Sequence, residues 1–180
     1  MTTYQFTLIV EGPDLQADHL IDALHEADCD DALVGRVDGV QYLDFDREAS
    51  SMEEAILSAV ADVERLDGVQ VVRLADAGLM SMADVAARTG RTRESVRLLV
   101  AGERGPGGFP PPVTDPRSRY RLWRWSEVER WFISYVGDQP VHADDHVVTA
   151  INAGLELRRH GRYIDPDHRT GLRRLAGLGG

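Results

Sequence analysis

The sequence predicts an α+β protein: a first unit of mixed strands and helices over residues 1–76, a second unit over 79–136, and a helical tail over 137–180. Three observations predict this. Apolar residues alternate with period two at Tyr4, Phe6, Leu8 and Val10, then recur with helical period at Met52, Ala55, Ile56, Ala59, Val60, Val63 and Leu66. Past Met80, two short helical segments are separated by Gly90. The charge also changes sign along the chain. Residues 1–78 hold 18 acidic side chains and 4 Arg, residues 79–136 hold 6 acidic and 10 Arg, and the rest balances.

In the first unit, Tyr4 to Val10 reads as a half-buried strand, and Leu20, Ile21, Leu24 and Ala27 space a helix. Ala32 to Val37 and Val40 to Phe45 read as two strands joined at Asp38-Gly39, a pair suited to a tight hairpin turn. Ser50 and Ser51 each precede a Glu by three residues (Glu53, Glu54), which marks the start of the second helix. Val69 to Leu74 supplies the last strand. The order βαββαβ is that of a ferredoxin-like unit, with two helices on one face of a four-stranded antiparallel sheet. This arrangement serves many functions and names none. His19 and His25 are six apart, off-register for one helix face, and Tyr42 and Phe45 stand among Asp44 and Asp46. The first unit therefore reads as an acidic solvated surface over an ordinary core, suited to dimerisation, ligand sensing or partner binding.

In the second unit, Ser81 is the expected N-cap of a helix that ends at Gly90, where the turn needs a positive φ. Thr92 is the expected cap of the next helix, through Ala101. Ala86, Gly90 and Val96 have the spacing of a helix-turn-helix: a small residue for close approach, the turn glycine, and an inward aliphatic. With Val96, Leu99 and Val100 inward, Arg91, Thr92, Arg93, Glu94 and Arg97 face out near the second helix's start. Arg can grip guanine O6 and N7 or hold a phosphate; Glu94 can accept from cytosine N4 or pair with a neighbouring Arg. A Gly- and Pro-rich loop follows from Gly102 to Pro112. Arg117 to Trp125, with Arg117, Arg119 and Arg121, reads as a β-hairpin arm, and Ser126 as the cap of a further helix.

Phe109-Pro110-x-Pro112, Arg121-x-Trp123 and Ser126-Glu127-Val128-x-x-Trp131, set after this helix-turn-helix, resemble the winged DNA-binding domains of the excisionase/AlpA type within the MerR-like group. The resemblance covers about 50 of the 180 residues. It implies a second helix in the major groove and a wing on the adjacent backbone or minor groove. Arg93 and Arg97 would then be groove or phosphate contacts and Arg119 and Arg121 wing contacts, while Trp123, Trp131 and Phe132 pack wing against helix.

All 20 basic residues are Arg, so their number says little about nucleic acid, whereas their clustering in 79–136 says more. Cys29 is alone, which excludes an intrachain disulfide and a cysteine-only metal site. No stretch reaches the roughly 18 apolar residues of a membrane helix, and no basic, apolar leader opens the chain. The expected location is cytoplasmic. His142-Ala143-Asp144-Asp145-His146 has two His at i, i+4, but Ala143 stands where a zincin has its Glu, and the segment reads as a capped helix entrance. Neither a nucleophile elbow, a phosphate loop nor a paired-carboxylate signature is present. The expectation is a non-enzymatic, cofactor-free regulator that binds double-stranded DNA as a homodimer, with a protein partner possible for the acidic unit. The rival is an adaptor whose helix-turn-helix binds protein.

Overall fold

The computed structural model describes residues 1–75, 78–136 and 144–177. The chain is α+β, with a four-stranded antiparallel sheet. It divides into two units, one of Met1–Ala75 with the tail from Val147 onward, the other within Asp76–His146. Among the described residues no helix is long and apolar enough to cross a membrane.

The first unit runs β1 (Thr2–Glu11), α1 (Asp18–Glu26), β2 (Ala32–Val37), β3 (Val40–Ala49), α2 (Met52–Val63) and β4 (Gln70–Leu74). The sheet order is β2-β3-β1-β4 with every neighbouring pair antiparallel. Register follows from burial. Phe6 pairs with Phe45 and Leu8 with Leu43, so the even positions of β1 and odd positions of β3 share one face. That face meets Leu20 and Leu24 of α1 and Met52, Ile56, Ala59 and Val63 of α2 in one core. The β2–β3 turn is tight because Asp38 and Gly39 both take positive φ, 50° and 82°. Ser51 caps α2 by accepting from the Glu54 amide at 3.2 Å, while the Glu54 carboxylate reaches back to the amide of Ser50. Those bonds with Ser50 hold the Glu54 carboxyl below the usual carboxylate range.

β3 extends four residues past its expected end at Phe45. Asp46, Arg47 and Glu48 look like a solvated exit, yet Arg47 is only 7% exposed. Its guanidinium grips Asp31 with two hydrogen bonds (2.8 and 3.0 Å), Asp62 (2.6 Å), Ser58 Oγ (3.2 Å) and the Asp28 carbonyl (2.7 Å), and lies over the Phe45 ring. Saturating its donors is what makes a buried cation tolerable here. On the other face, Gln5 donates to Asp46 and Thr7 to Asp44, and Tyr42 lies across Gly35, where a Cβ would collide with the ring.

The tail forms α6 (Asp144–Gly161), a 3-10 turn (Pro166–His168) and α7 (Arg169–Leu175). From Val147 onward α6 belongs to the first unit rather than standing as a separate segment. Leu155 enters the core with Val147, Val148 and Ile151 against it. Asn152 accepts from the Leu74 amide (2.7 Å) and donates to the Leu74 carbonyl (3.1 Å), so its amide completes the open edge of β4. Arg158 holds Glu64 through two hydrogen bonds and donates to the Val71 carbonyl; Arg159 holds Glu11. The acidic surface thus draws the tail onto itself.

The second unit contains β5 (Leu79–Ser81), α3 (Met82–Arg88), α4 (Arg93–Val100), β6 (Leu122–Arg124) and α5 (Trp125–Val136). Its core joins Val85 and Ala86 of α3, Val96 and Leu99 of α4, Trp123 of β6, and Trp125, Val128 and Phe132 of α5. Two sequence expectations change here. The Arg117–Trp125 arm is not a hairpin: only Leu122–Arg124 is strand, and it pairs with β5 (Met80 opposite Trp123). Within the arm the amides are used in local turns, Arg117 N–H on Asp115 Oδ1 (2.9 Å), Ser118 N–H on the Asp115 carbonyl (2.8 Å) and Tyr120 N–H on Ser118 Oγ (3.1 Å), so no second strand forms there and β6 pairs with β5. A loop closes instead through Val113 N–H to the Leu122 carbonyl (2.8 Å) and Leu122 N–H to Thr114 Oγ1 (3.1 Å). Ser126 is not the cap of α5, which already begins at Trp125; Ser126 lies buried in its first turn.

Candidate nucleic-acid interface

α3 starts in a reciprocal box: Ser81 Oγ accepts from the Asp84 amide while the Asp84 carboxylate accepts from the Ser81 amide. These bonds hold the Asp84 carboxyl below its usual range. α3 ends with Gly90 at φ +62°, where Arg91 N–H reaches the Ala86 carbonyl (2.9 Å) and Gly90 N–H that of Ala87 (3.3 Å). Thr92 then caps α4 by accepting from the Ser95 amide at 3.1 Å. Ala86 is 5% exposed and Val96 1%, so the two helices meet at a small residue and an aliphatic one.

The loop from Gly102 to Pro112 is tied down by indole nitrogens. Trp123 Nε1 donates to the Pro110 carbonyl (3.1 Å) and Trp131 Nε1 to that of Gly107 (2.9 Å). Phe109 packs against Trp123, Trp131 and Phe132. Trp123 is therefore a buried core group and Trp131 a partly buried one packed against it. This anchoring sets where residues 113–121 emerge.

The eight candidate residues separate into two groups. Arg93, at the start of α4, meets Arg119 and Arg121 of the loop in one cleft of about 200 Å³, with Ser81, Met82, Ala83, Tyr120, Leu122 and Trp123 completing the wall. Neither Arg93 nor Arg119 has an ion-pair partner among the described residues, and Arg121 lies over the Trp123 ring at 5.6 Å. The other five are engaged elsewhere. Arg97 Nε donates to both Glu94 oxygens (2.9 and 3.0 Å), and its terminal nitrogen is 3.5 Å from Glu103. The Glu94 hydrogen bond raises the Arg97 pKa. Arg117 makes two hydrogen bonds to Asp115, whose carboxyl it holds below the usual range. Arg91 turns onto α5, over Phe132 (5.3 Å) and Tyr135 (6.0 Å), and the Thr92 hydroxyl serves its cap.

Two features escape the sequence reading. Tyr120, 78% exposed, stands on the cleft between Arg119 and Arg121; the alternation Arg-Tyr-Arg was its signal. Arg88 covers the Trp125 ring at 4.4 Å, an approach across the fold with no local signature. The cleft gathers guanidinium forks, which bind oxyanions in pairs of hydrogen bonds, beside hydroxyls and an exposed ring.

Among the described residues no group of three or more His, Cys, Asp or Glu is placed to hold a metal ion. His142 and Ala143 lie outside the described residues, and His146 Nε2 meets Arg130. The chain matches no protein-family model, no curated protein and no solved structure.

Proposed function

We propose that the chain is a sequence-specific, DNA-binding transcriptional regulator. In this reading residues 79–136 are a winged helix-turn-helix whose α4 and 113–121 loop grip double-stranded DNA. The first unit is ferredoxin-like and serves dimerisation, sensing or partner binding. The observation that carries the reading is the convergence of Arg93, Arg119 and Arg121, from two separate stretches of chain, on one cleft. A DNA backbone presents closely spaced oxyanions, and arginines without carboxylate partners gathered at one cleft match them.

Residues 1–78 carry a formal charge of −14, which repels DNA, so the protein binds random DNA weakly and depends on a specific site. Autoregulation and an antitoxin-like role, in which the acidic unit neutralises a basic partner, both fit this division of charge. Footprinting on the DNA upstream of its own gene, beside random DNA, tests the proposal: a protected site absent from the random fragment is expected, and uniform or absent protection contradicts it.

A second reading has its own support. Arg97 and Arg117 are each neutralised by a carboxylate within three residues, which suits a protein-binding adaptor better than a fully basic DNA surface. The same footprint separates the two.

A further inference from the structure

Five of the six tail arginines fall into two groups. Arg158 and Arg159 are matched to Glu64 and Glu11. Arg162, Arg169 and Arg173 instead line an open groove of about 330 Å³ between the last turn of α6 and α7, together with Leu157, Gly161 and Leu172. None of these three has an ion-pair partner among the described residues. Arg162 donates to the Tyr163 hydroxyl (3.0 Å) and lies over that ring at 4.9 Å, and Arg169 uses its Nε on the Ile164 carbonyl (3.2 Å). Each of those interactions leaves guanidinium N–H groups free. Leu157 and Leu172 are half-buried and give the groove an apolar floor.

Three cations around one groove repel each other, in a chain whose net charge is −10 and whose Arg158 and Arg159 find carboxylates. An anion within the groove relieves that repulsion, and Arg matches carboxylate or phosphate oxygens two at a time. The volume lies at the lower end of the range of small-molecule sites, roughly 300–1,000 Å³. We propose that this groove binds a small amphipathic anion: a carboxylate or phosphate monoester head held by Arg162, Arg169 and Arg173, with a short apolar body against Leu157 and Leu172. The site is independent of the DNA-binding reading.

Calorimetric titration of the full chain with octanoate, octyl phosphate and inorganic phosphate tests this. Saturable one-to-one binding of octanoate or octyl phosphate is expected, the tighter of the two identifying the head group. Inorganic phosphate should bind at least about tenfold more weakly, since it lacks the apolar body. Arg173→Ala should weaken the better ligand about tenfold or more. Arg173 is exposed, so an unchanged melting temperature shows that the variant is folded. Failure of both octyl probes to bind overturns the proposal. So does undiminished binding by Arg173→Ala and Arg162→Gln, or inorganic phosphate binding as tightly as the octyl compounds.

Discussion

Arg97 holds Glu94 with one nitrogen, Nε, at 2.9 and 3.0 Å from the two carboxylate oxygens, and Glu103 stands 3.5 Å from its other end. Arg97 sits on the outward face of α4, yet its charge is spent inside the molecule. If α4 meets DNA, this pairing competes with phosphate binding. Glu94→Gln should therefore strengthen DNA binding at low salt by roughly two- to fivefold and steepen its salt dependence by about one unit of log–log slope. Fluorescence anisotropy at several salt concentrations checks it. Unchanged affinity and slope would mean that Arg97 does not face the DNA.

Gly90 ends α3 at φ +62°, and a Cβ added there meets nothing within 4 Å. Gly90→Ala thus incurs only the backbone cost of a left-handed alanine, about 1–2 kcal/mol. Urea unfolding should show that decrease for the second unit. A decrease several times larger would mean that the turn is packed against something.

Asn152 satisfies both the amide and the carbonyl of Leu74. Asn152→Ala removes both partners from the β4 edge and should cost about 1–3 kcal/mol. Hydrogen exchange at Leu74 should accelerate selectively. Equal protection in wild type and variant would show that α6 does not hold the edge.

Cys29 is 3% exposed, and burial pushes its thiol up to about 11, with Arg47 opposing that rise. Its pKa is therefore higher folded than unfolded. As pH rises through the unfolded value the unfolded state loses its proton first, so stability falls until about pH 11 and then levels. Between about pH 9 and 11, Cys29→Ala should lose less stability than wild type. Parallel pH profiles would contradict this. Native protein at pH 8 should also react slowly with a thiol reagent.

Periodicity carried most of the first unit. The alternation at Tyr4 to Val10, the Asp38-Gly39 turn and the α2 stripe each state a local preference that the tertiary fold does not oppose. Local signals failed where a distant group decides the outcome. The end of β3 reads as polar because Asp31, Asp62 and Ser58, which make Arg47 buriable, lie 11 to 16 residues away. The expected arm at Arg117–Trp125 found its strand partner near Leu79, across some 40 residues, because its own amides are spent in turns on Asp115 and Ser118. In the candidate site, outward position on α4 was legible from spacing, but the partner of each arginine was not. Arg93 and Arg97 are four apart on one helix, and only the second has acidic neighbours in reach, Glu94 and Glu103.

If Arg93, Arg119 and Arg121 act together on DNA, as proposed, double-mutant analysis on the protein's own upstream fragment measures it most directly. Anisotropy titrations of Arg93→Ala, Arg119→Ala and the double variant should each show weaker binding, about three- to tenfold for each single change. The salt slope should fall by about one unit for every phosphate that an arginine no longer holds. Wild-type affinity and slope in all three variants would contradict the account and leave the cleft without a role in nucleic-acid binding.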